Sequence, residues 1–119
     1  MDVGDRPVLL YDSDCRFCRF VARTVIHLDR HDAVAFLPIQ DAEAGALLAD
    51  LSTTERLASI HLVEPGGKRY SRGAALTRLI RHLGLPVPSV IGRAYDPVAR
   101  NRGKFGKHVP DGRAPRRYP

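Results

Sequence analysis

Along the first third of the chain, the spacing of the apolar residues changes from one segment to the next. The apolar run Val8–Tyr11 is followed by a polar stretch, which predicts a buried strand that ends in a loop. Apolar residues then recur at helical spacing and predict a helix over about 15–30, with Asp14 as its N-cap. A second apolar run at 33–37 predicts another strand. Such a strand-helix-strand unit favours two parallel strands joined by a right-handed crossover.

The pattern of the next fifty residues completes a small α/β domain. An Ala- and Leu-rich stretch predicts a second helix over 41–51. Two short runs at 59–63 and 68–71 flank a Glu-Pro-Gly-Gly turn and predict a hairpin. Leucines at helical spacing predict a last helix that ends at Gly84. The resulting order, β-α-β-(α)-β-β-α, predicts a thioredoxin-like α/β fold with a mixed central sheet.

Composition and charge locate a basic extension behind this domain. The chain has 119 residues, 44% hydrophobic and 27% charged, which is typical of one soluble globular domain. The net charge of +6 arises after Gly92, where eight Lys and Arg residues face two acidic ones. We therefore predict a thioredoxin-like domain over 1–102 and a basic, flexible C-terminal tail over 103–119. Because the cysteines lie in the neutral part, we expect that removing this tail leaves their chemistry intact.

The sequence offers no targeting or membrane signal. Its N-terminus is polar and acidic, unlike a signal peptide, and no apolar run approaches the ~20 residues of a membrane span. We expect a cytoplasmic protein, in a compartment where structural disulfides are rare.

Both cysteines of the chain lie where the first strand meets the first helix, in the motif Cys15-Arg16-Phe17-Cys18. Residues three apart on a helix are neighbours, so the two sulfurs lie within reach of a disulfide. The helix N-terminus stabilises a thiolate at Cys15, which we predict to be the attacking sulfur. Cys18 lies one turn further in, on the apolar face, and is predicted to be the resolving sulfur. Asp12 either moves a proton to or from Cys18 or holds the loop through a hydrogen bond.

The pair has two other interpretations, a metal site and inert core cysteines. A structural zinc site needs four ligands, but the chain has no second cysteine pair. His27 and His31 stand about 12 residues along the predicted helix, roughly 18 Å away, and cannot share an ion with Cys15. The pair could also be inert core cysteines. The spacing and position favour redox chemistry, with neither a metal nor a cofactor.

The motif and the segments that follow it resemble the DCC family of thiol-disulfide oxidoreductases. The resemblance extends from about Val8 to Lys107 and starts with Asp12, Cys15 and Cys18. Its further segments are Ile39-Gln40-Asp41, residues 60–63, Gly73-Ala74-Ala75, Tyr95 and residues 98–102. Membership in this family implies a thioredoxin-like fold and dithiol-disulfide exchange.

Two positions depart from what the resemblance implies. Ser13 stands where the family usually has glycine, which favours a tighter loop. Thioredoxins also carry a cis-proline ahead of the hairpin, but here Ser59 precedes Ile60 and the nearest proline, Pro38, lies elsewhere. The sequence therefore does not predict substrate recognition of the thioredoxin kind. In the same hairpin, His61 alternates with apolar neighbours and is expected to be exposed.

Two functions follow as hypotheses. The first is an enzyme, a protein-disulfide reductase that exchanges its Cys15–Cys18 dithiol with a protein or small-molecule disulfide. A thiol such as glutathione would reduce the oxidised pair again. The second is a non-catalytic thioredoxin-like module whose basic tail recruits an acidic partner or nucleic acid. The tail lacks the signature of a nucleic-acid-binding module, so nucleic acid is the less favoured partner.

Overall fold

The structure is a computed structural model that describes residues 5–85, 97, 100–101, 104 and 109–118. Strand β1 (Val8–Tyr11) leads into helix α1 (Arg16–Leu28) and strand β2 (Ala35–Pro38). The two strands are parallel, with Leu9 opposite Phe36. The predicted strand-helix-strand unit is therefore confirmed.

The segment after β2 forms two short helices, α2 (Ala42–Leu47) and α3 (Thr53–Leu57). The single helix predicted over 41–51 is thus too long, and α3 was missed. Helix α3 begins with a capping box in which Ser52 Oγ accepts the Glu55 N–H at 3.1 Å and Glu55 Oε1 accepts the Ser52 N–H at 3.0 Å. This Ser-x-x-Glu signature is visible in the sequence and marks a new helix start.

The hairpin and the last helix agree with the sequence pattern. Strands β3 (His61–Val63) and β4 (Arg69–Ser71) pair antiparallel and are followed by α4 (Arg72–His82). Gly66 and Gly67 in the turn have φ angles of 100° and 92°, which favour glycine. Gly84, with φ of 74°, ends α4 as predicted.

The four strands form one mixed sheet in the order β2-β1-β3-β4, the arrangement of a thioredoxin-like fold. Apolar clusters fill both of its faces. One face packs mainly on α2, and the other packs on α1 and α4. Within the described part of the chain, no helix is long and apolar enough to cross a bilayer.

Residues 109–118, here called the C-terminal strap, lie against the domain. Arg117 pairs with Phe36 of β2 in an antiparallel bridge, its N–H donating at 2.9 Å and its carbonyl accepting at 2.7 Å. Tyr118 packs against the α2 cluster and Ala114 against the α1 and α4 cluster. The strap thus contacts the edge of the sheet and both apolar clusters, and the predicted flexibility of the tail over 103–119 stays a prediction. The proposed boundary after residue 102 stays a prediction.

Candidate active site

Cys15 is the N-cap of α1. Its backbone is extended, with φ of −97° and ψ of 118°, and its Sγ accepts the N–H of Cys18 at 3.4 Å. The predicted N-cap, Asp14, is wrong by one residue. The Asp14 N–H instead binds Asp12 Oδ1 at 3.0 Å, in a turn that delays the helix start. The sulfur of Cys15 therefore occupies the place where a serine or aspartate oxygen normally caps a helix.

The two cysteines differ in their access to solvent. Cys15 is half-buried, whereas Cys18 is buried, with 6% of its surface exposed. The structure places them as the sequence predicts, one sulfur at the helix end and the other a turn behind it. Cys15 is therefore the more exposed residue of the pair.

Gln40, two residues after the end of β2, holds the loop that leads to Cys15. Its Oε1 accepts both the Ser13 N–H at 3.0 Å and the Ser13 hydroxyl at 2.7 Å. Its Nε2 donates to Asp12 Oδ1 at 2.7 Å and to Asp14 Oδ2 at 3.4 Å. The sequence signals this contact only indirectly, because parallel strands place the residues after β1 and β2 side by side.

Asp12 is tied into the same loop. Its Oδ1 accepts hydrogen bonds from Asp14 and Gln40, and its carbonyl accepts the Cys15 N–H at 3.3 Å. These contacts are the loop-holding alternative that the sequence left open. Proton transfer by Asp12 remains a prediction.

Ser13 fits its position without backbone strain. Among the described residues, the non-glycine residues with positive φ are Asp32 and Arg72, so Ser13 does not need the conformation that favours glycine. Its hydroxyl supplies one of the two hydrogen bonds to Gln40. The departure from the family's usual glycine therefore adds a contact to the loop.

Arg19 joins the active-site loop to the C-terminal strap. Its Nη1 donates to the Ser13 carbonyl at 2.8 Å and its Nε donates to the Gly112 carbonyl at 3.1 Å. Its Nη2 forms an ion pair with Asp111 at 2.6 Å. The hydrogen bond with Asp111 raises the pKa of Arg19, and the charges of Asp111, Cys15 and Asp14 raise it further.

The start of the hairpin lies beside the end of β1. Leu10 pairs with His61, and continuing this antiparallel register places Ile60 opposite Tyr11 and Ser59 opposite Asp12. Ser59 Oγ accepts the Arg72 N–H at 3.3 Å. Pro38 pairs with Tyr11 from β2, on the other side of β1. A serine thus occupies the register position where the sequence comparison with thioredoxins expects a proline.

His61 is buried, so its predicted exposure is wrong. It has 2% of its surface exposed because both faces of the sheet are covered. Its Nδ1 lies 2.7 Å from Ser71 Oγ and its Nε2 lies 3.0 Å from the Arg56 carbonyl. Since a carbonyl only accepts, Nε2 carries the proton of the neutral ring and Nδ1 accepts from Ser71. Burial lowers the pKa of His61.

The sheet order, the β1-to-α1 junction and the Cys15-x-x-Cys18 motif at that junction define a thioredoxin-like protein with a dithiol at a helix start. Residues 9–108 match the family model described as DCC1-like thiol-disulfide oxidoreductase. The chain belongs to this family.

A chloroplastic DCC family protein of Arabidopsis thaliana is 29% identical to the chain over 116 residues. The match covers 86% of this chain and 66% of the plant protein, so the chain spans slightly less than two thirds of that relative's length. No solved structure matches the chain.

Proposed function

We propose that the protein is a thiol-disulfide oxidoreductase of the protein-disulfide reductase type, acting through Cys15 and Cys18. The observation that carries this proposal is the hydrogen bond from the Cys18 N–H to Cys15 Sγ at the start of α1. A donor aimed at sulfur, together with the positive end of the helix, favours the thiolate over the thiol. The thiolate is the form that attacks disulfides.

The exchange proceeds in two displacements. The Cys15 thiolate attacks one sulfur of the substrate disulfide, so a mixed disulfide forms and the other substrate sulfur leaves as a thiolate that takes up a proton. Cys18 then loses its proton and attacks Cys15 Sγ, which releases the second substrate thiolate. Two electrons have passed from the dithiol to the substrate, and the protein ends as the Cys15–Cys18 disulfide. Two molecules of a thiol such as glutathione then reduce the Cys15–Cys18 disulfide through a mixed disulfide, leave as their own disulfide and restore the dithiol.

Asp12 is proposed as the group that accepts the proton of Cys18 during the second displacement. It lies at the end of β1, in the loop that precedes Cys15. Its Oδ1 is occupied by loop hydrogen bonds, but a carboxylate has further lone pairs that can take a proton. The holding of the loop and the proton transfer are thus compatible at one residue.

We further propose a reducing compartment such as the cytoplasm, where the dithiol form predominates. The name of the Arabidopsis relative assigns that protein to the chloroplast.

Trapping the mixed disulfide tests the function. The Cys18→Ser variant retains the attacking sulfur but lacks the resolving one, so we expect a reducible adduct through Cys15 with a model disulfide. Cys15→Ser is the matched control and should trap nothing. The unmodified protein should reduce insulin.

The enzyme hypothesis would be rejected if no adduct formed and the unmodified protein failed to reduce insulin. The non-catalytic binding module would then be the favoured function. Binding through the strap would have to compete with the domain's own carboxylates. Arg116 contacts Asp41 at 2.5 Å, and Arg117 contacts Asp29 at 2.5 Å.

A further inference from the structure

We propose that Arg19 is a positioning residue for Cys15, and that Asp111 of the C-terminal strap sets how much of the Arg19 charge acts on the sulfur. This inference rests on the proposed function, because it concerns the reactivity of the same dithiol. It makes the strap part of the redox site, although the strap lies about a hundred residues further along the chain. The sequence predicts instead that the C-terminal segment is dispensable for the redox chemistry.

Helix geometry places Arg19 beside Cys15. Cys15 is the N-cap of α1 and Arg19 lies in its first turn, so both residues stand at the same end of the helix. The Arg19 N–H also donates to the Cys15 carbonyl at 2.9 Å. The guanidinium reaches back to the Ser13 carbonyl, two residues before Cys15. The positive charge of Arg19 therefore lies next to the loop that leads from Ser13 to Cys15.

The surroundings of Arg19 hold this charge in place. Its side chain is 19% exposed, and its Nη1, Nε and Nη2 atoms each donate to a different residue. An attraction between Arg19 and Cys15 contributes to the raised pKa of Arg19. Interactions between charges are reciprocal, so the guanidinium favours the thiolate of Cys15 over its thiol.

Asp111 opposes this effect. Its carboxylate shares the guanidinium at 2.6 Å and also accepts the Gly112 N–H at 2.8 Å. A negative charge so close to Arg19 cancels part of the field that reaches Cys15. Removing the charge of Asp111 should therefore stabilise the thiolate, whereas removing the charge of Arg19 should destabilise it.

The strap is anchored on both sides of Asp111 and Gly112. Gly112 lies so close to the Arg23 guanidinium that any added Cβ would collide with it. Arg23 Nη1 donates to the Pro110 carbonyl at 3.4 Å, and the Tyr11 hydroxyl donates to the Pro115 carbonyl. The position of Asp111 is thus determined by contacts with α1 and with the end of β1.

The ionisation of Cys15 tests the inference. In a reduced Cys18→Ser background, the pH dependence of the alkylation rate reports the thiolate of Cys15 without any substrate. Arg19→Gln should raise the pH midpoint of the alkylation rate and Asp111→Asn should lower it, each by about 0.5 pH unit. An opposite charge within about 4–6 Å lowers the pKa of an acidic group by about 1–3 pH units. The partial exposure of the Arg19–Asp111 pair to solvent makes the expected shift smaller.

Arg30→Gln is the control, because Arg30 is an exposed arginine beyond the opposite end of α1, roughly 20 Å from Cys15 along the helix. It should leave the midpoint unchanged. Circular dichroism and a urea titration would verify that each variant is folded. Asp111→Asn is close in shape to the original residue and can retain the hydrogen bond from Gly112.

The redox equilibrium supplies a second readout with both cysteines present. Stabilising the thiolate favours the reduced protein, so at a fixed glutathione ratio the reduced fraction should rise in Asp111→Asn and fall in Arg19→Gln. Shifts of the same sign in both variants, or no shift in either, would overturn the inference. If the midpoints move as expected but no variant exchanges disulfides, the proposed function fails and the electrostatic coupling stands.

Discussion

The guanidinium of Arg117 contacts the carboxylate of Asp29 at 2.5 Å and joins the C-terminal strap to the turn after α1. The Asp29 side chain is 1% exposed. Its two oxygens also accept the N–H groups of Ala33 and Val34, each at 2.9 Å. A buried carboxylate of this kind destabilises the fold when its cationic partner is removed, because its charge is then no longer compensated.

Replacing Arg117 by Ala should therefore destabilise the protein. We expect a loss of about 3 kcal/mol in the free energy of unfolding, because the charge of Asp29 is left buried without its partner. Urea unfolding monitored by circular dichroism measures this. Arg113→Ala is the matched control, since Arg113 is an exposed arginine of the same strap, and should cost less than about 0.5 kcal/mol. Equal losses in the two variants would contradict the role of the Arg117–Asp29 pair.

Cys15 should be alkylated several-fold faster than Cys18 in the native reduced protein. Cys15 is half-buried and accepts an N–H, whereas Cys18 is buried behind it. Iodoacetamide at neutral pH, followed by peptide mass analysis, gives the order of labelling. Denatured protein serves as the control and should show similar rates at both positions. Equal or reversed labelling in the native protein would contradict the placement of the sulfurs at the start of α1.

Replacing Gln40 by Ala should loosen the loop before Cys15. The variant loses the hydrogen bonds to Ser13 and Asp12, and a net loss of about 1–2 kcal/mol is expected. Thermal unfolding measures the stability, and hydrogen exchange at Ser13 and Cys15 measures the local opening. Thr54→Ala, at an exposed position of α3, is a control that should change neither. Unchanged exchange in Gln40→Ala would show that the loop is held by other contacts.

Asp12→Asn should separate the two roles of Asp12. The asparagine oxygen can still accept from Asp14 and Gln40, so the free energy of unfolding should change by less than about 1 kcal/mol. If Asp12 accepts the proton of Cys18, release of the mixed disulfide should slow by about tenfold or more, since proton transfer typically contributes about 10²–10⁴-fold. Stopped-flow measurement of substrate release tests this. If the variant releases the substrate at the rate of the unmodified protein, Asp12 holds the loop and does not accept the proton of Cys18.

The stability of the protein should fall as the pH drops below the ordinary pKa of histidine. Burial lowers the pKa of His61 in the folded state, while the unfolded chain keeps a value of about 6.5. Below about pH 6.5 the unfolded state therefore binds more protons, so the free energy of unfolding decreases until the pH passes the folded pKa. Urea titrations between pH 5 and 8 measure the slope. His61→Gln should flatten it, and an unchanged slope would assign the pH dependence to other groups.

The parts of the fold that the sequence predicts are those set by local pattern. The run Val8–Tyr11, the helical spacing behind it and the Glu-Pro-Gly-Gly turn each act within a few residues, and each appears in the structure as an element. The exposure of His61 was predicted wrongly because strand alternation assumes one solvated face, whereas this sheet is covered on both.

The parts of the candidate site that the sequence could not give depend on distant pairs. Gln40 binds Ser13 across 27 positions, and Arg19 binds Asp111 across 92. No periodicity encodes such contacts. Even the N-cap of α1 was displaced by one residue, because the turn made by Asp12 decides where the helix begins. Motif and spacing identify the sulfurs, and the groups around them emerge only from the folded chain.

The bridge between Arg117 and Phe36 also has a consequence for self-association. Strand β2 is an outer strand of the sheet, and its outward-facing amide and carbonyl groups could template pairing with another chain. The strap fills the Phe36 position, and Arg117 stacks its guanidinium 5.1 Å from the Phe36 ring. A chain that lacked the strap would present an uncapped edge flanked by apolar side chains. Removal of the strap should therefore favour pairing of the β2 edge with another chain, independently of any redox chemistry.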